Sequence, residues 1–209
     1  MASMQPQRWL AWARTNAERC TSGRAPTQEP GLQEKMAPSF PPHHDARPML
    51  TIRPATPADD DSLWQIMEPI IRAGETYDFP RDTRREAALA AWLAPGFQCF
   101  VAEDGQRVLG TYVLHANRQG GGSHVANCGY MTAADATGQG VARAMCAHSL
   151  DTARAQGFVA MQFNFVIASN HRAVKLWTGM GFETVGRLPG AFLHPVHGYT
   201  DALVMFQRL

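Results

Sequence analysis

Two stretches combine residue types and spacings that can do chemistry. In "TAADATGQGVARAM" (132–145), Gly138, Gly140 and Ala142 fall where a strand pattern gives way to a helical one. Small residues let the main chain approach a ligand, and the first N–H groups of a helix have no intrahelical acceptor. Those donors and the helix dipole suit an anion such as a pyrophosphate, while an ordinary tight loop is the simpler account of a lone GxG. No Lys-Ser/Thr pair follows the glycines, and Arg143 stands where a dinucleotide fingerprint needs a third small residue, so neither nucleotide-binding pattern is met.

The second stretch is "FNFVIASN" (163–170), which reads as a buried strand interrupted by an amide. Burying a carboxamide without partners costs roughly 1–3 kcal/mol. Strand alternation places Gln162, Asn164, Val166 and Ala168 on one face and Met161, Phe163, Phe165 and Ile167 on the other. A locally polar face suggests a lined cavity; a structural amide satisfied by main chain is the alternative. Asn170 is also a good N-cap for the helix that follows.

Other polar residues point less sharply. His124 reads as a base acting through water or as a surface residue. His194 and His197 have HxxH spacing without further ligands, so no metal site is expected. "AGETYDFP" offers Glu75, Thr76, Tyr77 and Asp78 as pocket residues, and Phe192 to Tyr199 a second wall. Asp201, in a late strand, reads as structural.

The elements that must position these residues begin near Met49. Residues 1–48 hold seven of the fourteen prolines and little apolar periodicity, and read as a disordered leader or a non-native extension. "RWLAWARTNAER" within them has the pattern of a short amphipathic helix. From 49 to 209 strand and helix patterns alternate as β-α-α-β-β-β-α-β-α-β-β, which predicts one domain with a mixed sheet and helices on both faces. Thr56 is expected to cap a helix running to Arg72, with Leu63, Ile66, Met67, Ile70 and Ile71 on its apolar stripe. The glycine turn opens a helix from about Gly138 to Ala155.

Composition narrows the function classes. A formal charge of +1 without a dense Lys/Arg stripe argues against nucleic acid. No run of about 18 apolar residues points to a membrane span, and no apolar N-terminal segment resembles a secretory signal. Cys20, Cys99, Cys128 and Cys146 lack CxxC spacing and read as reduced thiols of a cytoplasmic protein.

The order of elements and two motifs resemble the Gcn5-related N-acetyltransferases. The family's acetyl-CoA signature, Arg/Gln-x-x-Gly-x-Gly/Ala, is met by residues 137–142 except that Thr137 replaces the first residue. A later signature, Asn-x-x-Ala-x-x-Leu-Tyr-x-x-x-Gly-Phe, is met at Asn170, Ala173, Leu176, Gly181 and Phe182, with Trp177 in the tyrosine position. The resemblance covers essentially residues 49–209 and implies a sheet of six to seven strands whose fourth and fifth splay apart around a thioester. It implies acetyl-CoA held by the main chain of Gly138, Gln139, Gly140, Val141, Ala142 and Arg143 and β-fashion by Tyr130, Met131 and Thr132. Thr137, Asn170 and Trp177 complete that cofactor set, and homodimers are common in the family.

A free alkylamine titrates near 10.4, so a base or a desolvating pocket must favour its neutral form. "SHVANCGYMTA" carries no carboxylate, and an indole N–H is no proton source at neutral pH. "SHVANCGY", "FNFVIASN" and "KLW" resemble in particular the yeast members that acetylate proline analogues such as azetidine-2-carboxylate. That likeness implies Asn127 and Asn164 as the catalytic pair, with Glu75, Thr76, Tyr77 and Tyr130 around a small amine. Phosphinothricin-type or general amino-acid acetylation, which the closing "GYTDALVMFQRL" resembles, and a non-catalytic CoA sensor are the alternatives.

Overall fold

A computed structural model describes residues 50–209. The expectations for residues 1–48, Cys20 included, lie outside the described residues. Seven strands form one sheet in the order β1-β2-β3-β4-β5-β7-β6. They are β1 (Thr51–Pro54), β2 (Gln98–Glu103), β3 (Val108–Ala116), β4 (Val125–Thr132), β5 (Ala160–Ile167), β6 (Glu183–His194) and β7 (Gly198–Arg208). The helices are α1 (Asp60–Ala73), α2 (Arg85–Trp92), α3 (Val141–Ala155) and α4 (His171–Gly179). The order matches the sequence expectation, and the sheet is mixed because β4 and β5 run parallel while every other pair is antiparallel.

Period-two alternation in the central strands feeds two cores. Tyr112 and Leu114 of β3 join Ala126 and Cys128 of β4 and Met161 and Phe163 of β5 beneath α3 and Trp177 of α4. On the opposite face Val113 and Met131 meet Leu63, Ile66, Met67 and Ile71 of α1 and Leu89 and Trp92 of α2. The α1 stripe is the one expected, with Ile70 half-buried at its edge. Thr56 does not cap α1 directly. Its N–H and hydroxyl donate to Asp59 Oδ2 at 2.7 and 3.0 Å across a 3₁₀ turn at Pro57–Asp59, and α1 begins one residue later. Asp59 in turn accepts from Arg53 Nη1 and Nη2 at 2.8 and 2.9 Å, tying this turn to β1.

Two departures from regular pairing shape the centre of the sheet. β4 and β5 pair only at Val125↔Ala160 and Ala126↔Met161, so from residue 127 onward the facing edges diverge. The second departure is a β-bulge in β5. Against β7, Phe163 pairs Met205 and Val166 pairs Leu203, leaving Asn164 and Phe165 opposite a single residue. A bulge aims both of its residues to the same side and resets the alternation beyond it. This corrects the simple face assignment drawn from sequence. Phe165 leaves the Phe163 face, is 37 % exposed and packs edge-on to Phe192 at 6.3 Å, while Val166 and Ala168 rejoin the core with Phe163.

Candidate functional site

The divergence opens a cavity of about 510 Å³ whose floor is the two splayed strands. β4 supplies Asn127 through Thr132, and β5 supplies Phe163 through Ile167, Asn164 among them. Thr76, Tyr77 and Asp78 from the α1–α2 loop form one wall, and Asn170, Ala173 and Trp177 of α4 another. Asn127 and Asn164, 37 positions apart in sequence, thus reach one space.

A third asparagine joins them. Asn117, just beyond β3, accepts at Oδ1 from Asn127 Nδ2 at 3.2 Å and from Asn164 Nδ2 at 2.6 Å. Asn164 Oδ1 accepts from Gln162 Nε2 at 2.7 Å. Asn164 therefore uses both ends of its amide within the protein, and its burial cost is met. No hydrogen bond reaches the Asn127 carbonyl oxygen from the described residues, and Asn127 lines the cavity. Asn117 carried no motif and was not singled out by sequence.

The α1–α2 loop is docked by Tyr77, whose hydroxyl donates to Tyr130 O at 2.8 Å. Its ring packs edge-on to Trp92 at 5.9 Å, and burial pushes its pKa well above the usual phenol value. Gly129 makes room, since a Cβ there would stand 3.3 Å from Trp92 and 3.5 Å from the Tyr77 hydroxyl. Thr76 lines the main cavity and a neighbouring one, whereas Glu75 lines only the neighbour, with His194 and His197. Tyr130 offers the cavity main chain rather than its hydroxyl. Its ring lies between Trp177 at 4.9 Å and Phe163 at 5.8 Å, and its oxygen is bonded to Ser149 Oγ at 2.7 Å. The Met131 side chain is likewise in the core, 1 % exposed, and Thr132 borders the cavity.

The glycine turn leads into α3 through two left-handed residues, Gly138 at φ 85° and Gly140 at φ 86°. α3 starts at Val141 rather than at Gly138, so Gly140 is its N-cap. Nothing lies within 4 Å of where a Cβ would sit on either glycine, so their conformation rather than their packing requires glycine. Thr137 turns its hydroxyl back to Ala133 O at 3.3 Å and Gln139 its amide to Asp135 O at 2.8 Å. The Gln139 N–H, expected to hold the cosubstrate, donates instead to Ala136 O at 3.3 Å within the turn, which leaves the N–H groups of Gly138 and residues 140–143 as the outward donors. Val141 anchors the first turn in the core and Ala142 packs beside it. Arg143 lines an open groove with Arg172 and Lys175 of α4. These N–H groups, the groove cations and the unpaired β4 edge fit an elongated anionic cosubstrate running from the α3 N-terminus into the splay.

Asn170 does cap α4, accepting from Ala173 N–H at 3.1 Å, while it lines the cavity. His124 lies outside the cavity, its carbonyl accepting from Val159 N–H at 3.0 Å. His194 Nδ1 accepts from the N–H groups of Val196 and His197 at 3.1 and 3.3 Å, a hairpin role. Asp201 accepts from Gly190 N–H at 2.8 Å and pairs with Arg187, also structural. No cluster of metal-ligating side chains occurs among the described residues, and none of their helices is long and apolar enough to cross a membrane. His115, which sequence did not single out, lines the cavity beside Asn127.

Comparison with known proteins agrees with this architecture. A Gcn5-related N-acetyltransferase from Kribbella flavida is 40% identical and superposes with a TM-score of 0.73 over 77% of this chain and 98% of that one. A phosphinothricin acetyltransferase from Sinorhizobium meliloti, solved with acetyl-CoA, shares the fold at a TM-score of 0.67 and 22% identity, over 77% of this chain and 88% of that one. The N-acetyltransferase aca1 of Schizosaccharomyces pombe is 30% identical over 98 residues, 46% of this chain. That match spans 47% of aca1, about half its length. The acetyltransferase (GNAT) family pattern matches residues 63–182, from α1 through the end of the α4 motif. With the splayed parallel pair and the glycine turn in place, the chain belongs to the acetyltransferase (GNAT) family.

Proposed function

We propose that the domain is an acetyl-CoA-dependent N-acetyltransferase that acylates a small amine directly in a ternary complex, with a proline-like imino acid such as azetidine-2-carboxylate as the preferred class. The observation that carries this reading is the amide pair on the splayed strands, Asn127 and Asn164, held by one acceptor at the floor of a cavity.

Acetyl-CoA supplies an activated acyl thioester. The main-chain N–H groups of Gly138, Gly140, Val141, Ala142 and Arg143 hold its pyrophosphate, and the edge of β4 from Tyr130 to Thr132 that β5 leaves unpaired aligns its arm. Asn127 Oδ1 accepts the N–H of the incoming amine and orients its lone pair. Asn164, pinned between Gln162 and Asn117, fixes the opposite wall. Main-chain N–H groups on the splayed strand polarise the carbonyl. Thr76 and Tyr77 close over the acceptor. Trp177 packs against Tyr130 and Phe163 and shapes the apolar side.

The test is acetyl-CoA consumption across a panel of amines containing azetidine-2-carboxylate, hydroxyprolines, phosphinothricin and ordinary amino acids. Turnover led by the imino acids supports the reading. Activity confined to primary amines moves the substrate to the amino-acid or phosphinothricin class, and CoA binding without turnover on any amine leaves a sensor.

A further inference from the structure

The amides described above can orient an amine but cannot remove its proton, because a carboxamide is not a base at neutral pH. Of the cavity-lining groups that can, the Asp78 carboxylate and the His115 imidazole, only His115 is the cross-strand neighbour of Asn127. His115, near the end of β3, pairs directly with Asn127 across the β3–β4 ladder and lines the same cavity. Its ring is stacked on Phe97 with centroids 3.8 Å apart and planes within 2°. Nδ1 lies 2.9 Å from Ala116 O. A carbonyl oxygen can only accept, so Nδ1 carries the hydrogen and Nε2 presents a lone pair. No protein group bonds Nε2 among the described residues.

We propose that His115 is the general base of the transfer, receiving the acceptor's N–H proton on Nε2, directly or through one water. The inference rests on the acetyltransferase reading above. As the amine nitrogen bonds to the acyl carbon and the C–S bond breaks, the nitrogen's proton leaves its hydrogen bond to Asn127 Oδ1 and passes to Nε2 of the neighbouring His115. It then passes to the departing sulfur, so that an amine and a thioester become an amide and a thiol and the imidazole is restored neutral.

The surroundings favour that cycle. Burial pulls the His115 pKa below the ordinary imidazole value, and the bond to Ala116 O only partly opposes it, so the ring is a free base at pH 7. Of the ionisable groups lining the cavity, Tyr77 and Tyr130 are held neutral by burial, and the Cys128 thiol is pushed up to about 12. Asp78, on the α1–α2 loop, is the remaining one. From β4 and β5 the facing groups are the uncharged Asn127 and Asn164. A general base in this position contributes roughly 10²–10⁴-fold.

The test is the pH dependence of kcat/KM on the amine that the panel shows to be turned over fastest. For the wild type, log(kcat/KM) rises with slope two below the His115 pKa and slope one from there to the amine pKa. His115→Ala lowers kcat about 10²-fold, keeps slope one throughout and is partly rescued by added imidazole. His115→Gln, which keeps a flat side chain against Phe97, behaves alike without rescue. A full-rate His115→Ala enzyme, or one retaining the slope of two, overturns the proposal. A protein that acetylates no amine overturns the underlying reading instead. Independently of turnover, ¹⁵N spectra of the ring report the tautomer. Hydrogen on Nδ1 and a titration below pH 6.5 are expected, and hydrogen on Nε2 at pH 7 would defeat the assignment.

Discussion

Asn127 and Asn164 stand on strands that have stopped pairing, yet both donate to the same oxygen, Asn117 Oδ1, at 3.2 and 2.6 Å. The gap between the strands is therefore open to a ligand while its two amides remain fixed relative to each other. That arrangement separates holding the acceptor from binding the cosubstrate, and the predictions below follow the division.

Asn127→Ala and Asn164→Ala should each reduce kcat by about 10²-fold, the scale of losing one positioned polar group in a transition state. The KM for acetyl-CoA should change less than about threefold, because neither side chain belongs to the glycine turn or the β4 main chain. Steady-state kinetics with both substrates varied separate the two parameters.

Asn117 should act as an acceptor. Asn117→Asp retains an oxygen for both donors and is expected to keep turnover within a few fold. Asn117→Leu leaves two amide N–H groups unpaired and should cost about tenfold, equivalent to about 1.4 kcal/mol. Comparing kcat in the two variants, with thermal unfolding to confirm folding, distinguishes acceptor chemistry from simple packing.

Gly140→Ala places a Cβ on a residue at φ 86°, a left-handed conformation that costs roughly 1–2 kcal/mol for an L side chain. The space around it is open, so the protein should fold with a lowered Tm. Distortion of the first turn of α3 should raise the Kd for CoA, measurable by calorimetry, with kcat at saturating acetyl-CoA nearly unchanged.

Asp59 governs acid stability. Its bonds from Arg53, and lesser ones from Thr56, hold its carboxyl well below the usual range, so the folded-state pKa is depressed. The stabilisation is present above the unfolded value of about 3.9 and is lost as pH falls through the folded value. Denaturant melts should show wild-type stability falling below about pH 4. Asp59→Asn should be less stable at pH 7 by about 2 kcal/mol and flatter across that acid range.

Much of the architecture was legible because period-two and helical patterns are local. The order of eleven elements, the α1 stripe and the glycine turn each follow from neighbouring residues. The β5 bulge was not legible, since it depends on how residues 163–166 register against β7, and it alone explains why Phe165 leaves the Phe163 face. Asn117 and His115 were missed for a related reason. Both lie at the end of "QRVLGTYVLHAN", where sequence marks a strand but says nothing of which face meets Asn127. Their proximity to Asn164, 47 residues beyond Asn117, exists only once β3, β4 and β5 are laid side by side. Tyr77 was anticipated as a pocket residue, but its bond to Tyr130 O required the fold.

The most direct test of the account is the initial rate of acetyl-CoA consumption with azetidine-2-carboxylate, measured for the wild type and for Asn164→Ala under saturating acetyl-CoA. The account predicts robust wild-type turnover and a loss of about 10²-fold in the variant with acetyl-CoA binding intact. Equal rates for the two proteins would contradict it.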